Sequence, residues 1–264
     1  MDTIIHLVKQ VGNSVFYSAK KLFSVVGLFY DTLLAISGGN KKVYHSSFKQ
    51  AVSQVLFTGV DAMGIVTIVA LLCGVTIIIQ ASTMMPQFGI GDYFGKILVI
   101  SVVRELGPFF TAVVVIGRSG AALAAYIGNM KIAKEVSALT IMGIDPVHFL
   151  VMPAFIGMII SITCLNIYFD VVAVLGGLFV AGLTVHIPFG IFLARVVSAL
   201  TVTDTIVSLL KSILFGGVIS IVSCYNGLAV SNIREVSRAV HKAVVGSMIF
   251  IIVAQAVITI LVYG

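Results

Sequence analysis

The run from Ile97 to Gly128 limits what this chain can become more than any other feature. It is apolar over more than the ~20 residues that a helix needs to cross a bilayer. Yet it carries Arg104, Glu105 and Pro108 in its interior. A charge near the middle of a membrane helix costs roughly 2.5–3.5 kcal/mol on insertion scales, so such residues persist where they are paired or carry function. Adjacent helical residues point about 100° apart, so Arg104 and Glu105 cannot satisfy each other along one face and each needs a partner elsewhere. Pro108 has no N–H, which deprives the Arg104 carbonyl of its helical hydrogen bond and predicts a kink. Two readings stay open: a structural ion pair at a packing kink, or a charged step in a substrate passage.

Beyond the proline, small residues form two stripes at four-residue spacing, Gly117, Ala121, Ala125 and Gly120, Ala124, Gly128. Such stripes let helix backbones approach closely in lipid, either within one subunit or at a dimer seam. The rest of the chain matches this setting. Of 264 residues, 59% are hydrophobic and 10% charged, and the mean hydropathy is +1.17, which predicts an all-α, polytopic integral membrane bundle forming one domain.

Five spans are expected, roughly Val55 to Gln80, Phe94 to Gly128, Phe149 to Val185, Thr205 to Tyr225 and Ala243 to Tyr263. Residues 1–50 read as an N-terminal region with a helix lying in the membrane interface, its apolar positions Ile4, Leu7, Val8, Val11 and Val15 recurring beside Lys9, Lys20 and Lys21. No cleavable signal pattern is visible there. Basic residues sort by side. Lys41, Lys42 and Lys49 precede the first span; Arg118, Lys131 and Lys134 are assigned to the connection between the second and third, and Arg234, Arg238 and Lys242 to that between the fourth and fifth. The opposite loops hold Lys96 and Arg195. The positive-inside bias therefore predicts a cytoplasmic N-terminus and an extracytoplasmic C-terminus. The outer segment after Pro188 reads as a short amphipathic helix.

The net charge of +6 follows from this sorting and gives no basic, aromatic-interleaved patch for nucleic acid. Cys73, Cys164 and Cys224 have no metal-like spacing, and the five histidines are scattered, so no metal or cofactor is expected on this chain. There is no phosphate loop of the G-x-x-x-x-G-K-[ST] type, no H-E-x-x-H and no G-x-S-x-G, so no catalytic residues are assigned. Asp61 and Asp170, both in apolar runs, leave an intramembrane aspartyl hydrolase as a minor alternative.

RELGP at Arg104 to Pro108, GRSGAALAAYIG at Gly117 to Gly128, MK at Met130 and MGIDP at Met142 to Pro146 together resemble the signature of the MlaE/YrbE permeases, membrane subunits of lipid-transporting ABC systems. The family pattern has Glu where Tyr126 stands, Glu-Gln where Lys134 and Glu135 stand, and Asp where Ser137 stands. The resemblance implies a homodimer in a bacterial inner membrane that moves lipid, phospholipid above all. It implies a separate ATPase subunit that binds the ATP, an MCE-domain protein on the outer face and in some systems a STAS-domain protein. A scaffold that anchors an MCE protein without transport is the alternative from another class.

Within that frame, Asn129 to Asp145 is expected to be the cytoplasmic coupling helix, with Met130, Lys131, Lys134, Glu135 and Asp145 as contacts to the ATPase and Gly143 ending it. The lipid cavity is expected along the outer half of span one, at Ile77, Ile78, Ala81, Met84, Met85 and Phe88, together with span five. Arg104 and Glu105 sit about ten residues inside span two and Lys211 about seven inside span four from the same face, so at ~1.5 Å per residue a Glu105–Lys211 pair is predicted on the pathway. Arg104 then needs a headgroup, a freed carbonyl or an acid such as Asp170.

Overall fold

The computed structural model describes residues 24–34, 41–84, 97–184 and 189–263. The expected interfacial helix of the first 23 residues lies outside them, as do Met85 and Phe88. Among the described residues every regular element is helical. Five helical stretches are long and apolar enough to cross a membrane: Gln50–Thr83, Val99–Ile132, Val147–Leu183, Val202–Leu228 and Ile233–Tyr263. They are called spans one to five below. The protein is a multi-pass helical bundle.

Each span runs past at least one end of the apolar window that marks it in the sequence, because helical hydrogen bonding continues into polar turns that hydropathy does not register. Span five begins at Ile233, so Arg234, Arg238 and Lys242 lie on its first turns and not in a loop. Local chemistry sets two of the starts. Thr201 and Asp204 form a reciprocal cap at the head of span four, with the Asp204 N–H donating to Thr201 Oγ1 at 3.4 Å and the Thr201 N–H to Asp204 Oδ2 at 3.3 Å. The Glu235 carboxylate accepts the Ser231 N–H at 2.9 Å ahead of span five.

Spans three and four form the interior, each 61% buried over its most apolar window, whereas spans one and five are 28% and 11% buried. The two outer spans therefore present apolar faces, among them Ile68 and Leu72, Ile252 and Ile260, to lipid or to another protein surface. Phe169, Phe215, Met158, Ile162 and Leu165 fill the centre. Spans one and three touch backbone to backbone: a Cβ on Gly74 would lie 2.0 Å from the Ala173 carbonyl oxygen. The stripe Gly120, Ala124, Gly128 packs within the chain, against Ile219 and Ser223 of span four and Val230 and Val236 beyond it; Gly227 returns the contact at the Ala124 carbonyl. Around Gly117 on the second stripe there is open space.

Span two is not a uniform helix. It widens to a π-helix over Val99–Leu106, resumes as α-helix over Gly107–Val115, widens again over Ile116–Gly120 and ends as Ala121–Ile132. The first widened segment is how the chain absorbs Pro108: the Gly107 N–H reaches back five residues to the Val102 carbonyl, and Pro108 starts the next α-helical turn. The second places Arg118 inside the span, contrary to its assignment to a connection. Its guanidinium donates to the Phe57 carbonyl at 2.8 Å and pairs with Asp61 Oδ2 at 2.7 Å, beside the 3-10 turn Val60–Ala62 that interrupts span one. A basic residue counted toward topology is thus a latch between two spans.

The segment after span two also departs from the expected single helix. Lys134 takes a left-handed conformation with φ 60°, which breaks the chain between Ile132 and a separate short helix, Glu135–Ile141. That helix ends as expected at Gly143, whose φ of +75° suits glycine; the Ile144 N–H returns to the Leu139 carbonyl at 2.9 Å.

A candidate lipid pathway: the polar network of spans two, four and five

Lys211 is fully buried in span four, and its ammonium uses all three of its donors. It bonds Glu105 Oε1 at 3.2 Å, the Arg104 carbonyl at 2.9 Å and Thr259 Oγ1 at 3.1 Å. The Arg104 carbonyl is the one that Pro108 leaves without a helical donor, so a lysine from another span completes the ladder that the proline opened. Glu105 is held in turn by span five. Thr259 Oγ1 lies 3.0 and 3.1 Å from its two carboxylate oxygens, and the Gln255 amide donates to the Glu105 carbonyl at 3.2 Å and to Oε2.

Arg104 points the other way, as adjacent helical residues must. Its Nε lies 2.6 Å from Asp204 Oδ1 at the head of span four. Asp204 also accepts the Thr201 hydroxyl at 2.6 Å and the Tyr263 hydroxyl at 3.1 Å, and the Arg104 guanidinium stacks 4.3 Å from the Tyr263 ring centroid. Of the acceptors considered for Arg104, Asp170 is not the one used. Two cations and two anions thus close a neutral set at the meeting of three spans. Its burial is lopsided: the side chains of Lys211 and Asp204 are 0% and 1% exposed, those of Arg104 and Glu105 23% and 32%. The half contributed by span two is open; the half contributed by span four is sealed. Arg104 is thus held by a single carboxylate at the open edge of the set.

Residues 51–261 match the family model described as Permease MlaE. The chain belongs to the MlaE permease family. This MlaE-family chain is 33% identical over 251 residues to a probable ABC transporter permease protein of Rickettsia typhi, covering 94% of this chain and 96% of that one. It is 24% identical over 263 residues to the intermembrane phospholipid transport system permease protein MlaE of Haemophilus influenzae, covering 99% of both. With the chloroplastic protein TRIGALACTOSYLDIACYLGLYCEROL 1 of Arabidopsis thaliana it shares 26% identity over 213 residues, 80% of this chain and 61% of the plant protein.

The sequence-predicted residues of this MlaE-family permease fall into three groups. Arg104, Glu105 and Lys211 come together in the network just described. Ile78 and Ala81 are buried inside the chain, Ile78 in the space left by Gly177 of span three, and Ile77 is half-buried; the Met84 side chain lies outside the described set, with Met85 and Phe88. The third group surrounds the connector. Lys134, Glu135 and Gly143 are exposed, Lys131 is half-buried, and Met130 packs on a small apolar cluster of Val136, Leu139 and Leu150. Asp145 has a structural task, its Oδ1 accepting the Val147 N–H at 3.0 Å at the start of span three. Ile141 and Met142 extend the exposed surface with apolar side chains, the first of them 87% exposed.

Residues that sequence reading missed are Asp204, Gln255, Thr259 and Tyr263. A signal existed: Gln255, Thr259 and Tyr263 follow at four-residue steps on one face of span five. The structure does not bring Asp61 and Asp170 together. Asp61 is engaged by Arg118, whereas Asp170 lies against Gly107, roughly 15 Å away along span two at ~1.5 Å per residue. Among the described residues no cluster of metal-ligating side chains occurs.

Proposed function

We propose that this MlaE-family permease works as a homodimer that carries phospholipid between a bacterial inner membrane and an extracytoplasmic MCE-domain protein. A separate cytoplasmic ATPase subunit supplies the energy, and a STAS-domain protein joins in some assemblies. The N-terminus is cytoplasmic in this reading and the C-terminus extracytoplasmic. The observation that carries it is the open half of the buried network: Arg104 and Glu105, partly exposed within a span, give a headgroup a charged foothold where bilayer lipid offers none. Exposed apolar faces on spans one and five supply the surface for a second copy.

Coupling to the ATPase falls to the connector Glu135–Ile141 with Lys131, Lys134 and the apolar pair Ile141 and Met142. An apolar tip beside charged residues at a sharp backbone turn is the composition of a protein contact. Replacing Lys134 by Glu and Glu135 by Lys is expected to weaken co-purification of the ATPase and permease-stimulated ATP turnover. Unchanged association would remove the connector from the interface.

Reconstitution of the permease with its ATPase and MCE partner in proteoliposomes containing fluorescent phospholipid tests the proposal. ATP-dependent transfer of the label to the MCE protein, lost on Lys211→Ala, is the expected result. An assembled complex that hydrolyses ATP and holds the MCE protein but transfers no lipid would establish the scaffold reading instead.

A further inference from the structure

A groove of about 350 Å³ lies at the end of the bundle that carries the Glu135–Ile141 connector. Spans one, two and three each give it one helical face. Gln50, Ser53, Gln54 and Phe57, at i, i+3, i+4 and i+7, come from the first, Tyr126 and its neighbours from the second, and Phe149 and its neighbours from the third. From Gln50, the first residue of span one, to Phe57 the groove reaches inward by roughly 10 Å at ~1.5 Å per residue. Its mouth is polar and its inner end aromatic, the order in which a membrane boundary is crossed.

Polar atoms form part of its accessible wall, so a ligand can reach them. Ser53 and Tyr126 are exposed, Tyr126 by 59%, and Gln50 and Gln54 are half-buried. The side chains of Gln50, Ser53 and Tyr126 form no hydrogen bond with another described residue. Gln54 Nε2 donates to Thr58 Oγ1 at 3.1 Å, which leaves its Oε1 as an acceptor. Phe57 is fixed by Arg118, whose guanidinium sits 5.0 Å from the ring centroid and donates to the Phe57 carbonyl at 2.8 Å. Among the described residues no charged side chain lines the groove: Arg118 and Asp61 pair with each other about one helical turn beyond its inner end.

An uncharged set of donors and acceptors over aromatic rings suits one kind of ligand. A phosphate would find no cation to pair with, and an ammonium no carboxylate. A hydroxyl group both donates and accepts, as the glutamine amides and the serine and tyrosine hydroxyls do in return. We propose that this groove binds a membrane lipid whose head is uncharged and bears a hydroxyl group, diacylglycerol being the simplest case. The hydroxyl is held by Gln50, Ser53 and Tyr126, and the body of the lipid lies against Phe57 and Phe149. The site is separate from the charged network and does not depend on which lipid the network carries.

Photolabelling of the full-length protein in phosphatidylcholine nanodiscs tests this. The probes carry a diazirine near the ester end of one chain: a diacylglycerol, its methyl ether, which accepts but cannot donate, and the phosphatidic acid of the same chains. Labelling at Phe57 and Phe149 is read relative to that at Ile252 and Ile260 on the exposed face of span five. The diacylglycerol is expected to label about fivefold more than the ether, the ratio that one neutral hydrogen bond confers, and the phosphatidic acid no more than the ether. Unlabelled diacylglycerol should suppress the labelling in the unaltered protein, a measurement that needs no variant to fold. Combining Gln50→Leu, Ser53→Ala and Tyr126→Phe should remove the preference. Equal labelling by diacylglycerol and ether, a preference for phosphatidic acid, or a preference that survives the triple replacement would each overturn the proposal.

Discussion

Two polar clusters lie on either side of the Arg104–Gly107 turn, one built on ion pairs and the other without them. On one side Glu105, Lys211, Arg104 and Asp204 pair with one another, with help from Gln255, Thr259 and Tyr263. On the other, Asp170 and Asn166 keep acceptors that nothing in the described chain serves. Both sit within membrane spans, where an unserved polar group is costly. The first cluster therefore explains how spans two, four and five hold together, and the second packs its unpaired oxygens against Gly107. A buried charge in this protein is read by its partners and not by its depth.

The contrast predicts a graded series of stability effects. Lys211→Ala should be the most damaging, because it strands Glu105 and frees the Arg104 carbonyl at once; a loss of about 3–5 kcal/mol is expected for breaking one side of a buried pair. Thermal unfolding of the detergent-solubilised protein reads it. Gly107→Ala should follow, at about 1–3 kcal/mol, since its methyl group would press on Asp170 Oδ1. Adding Asp170→Ala to that variant should restore most of the loss, which a methyl clash elsewhere would not allow. Arg104→Lys keeps the charge but loses the planar stacking on Tyr263, so a cost of about 1 kcal/mol is expected, with a larger fall in phospholipid transfer than in stability. Asp170→Leu should be nearly neutral, within about 1 kcal/mol, since it removes an unpaired group and no bond. A loss as large as that of Lys211→Ala would show that Asp170 belongs to a closed cluster after all.

Much of this was legible in the sequence, for identifiable reasons. Five apolar runs sufficed for the spans, and the similar depths of Glu105 and Lys211 sufficed for their pairing, because helical rise converts residue number to depth directly. What depth cannot convey is azimuth. Asp204 could have been read as a cap from Thr201 three residues earlier, but nothing local says that the same carboxylate also receives Arg104. Ile78 on span one shows the same limit: it is as apolar as its neighbours, and only the space left by Gly177 turns it inward. The break at Lys134 was hidden for another reason. Left-handed turns are usually announced by glycine or asparagine, and here a lysine adopts one.

The central claim is that Glu105 and Lys211 act as one unit that holds spans two, four and five together. A double-mutant cycle on assembly, comparing Glu105→Ala, Lys211→Ala and the pair by dimer yield and unfolding temperature, tests it directly. The account predicts that each single replacement is destabilising and that the double, having no stranded charge, recovers much of the defect. Strictly additive losses, with no coupling between the two positions, would contradict it.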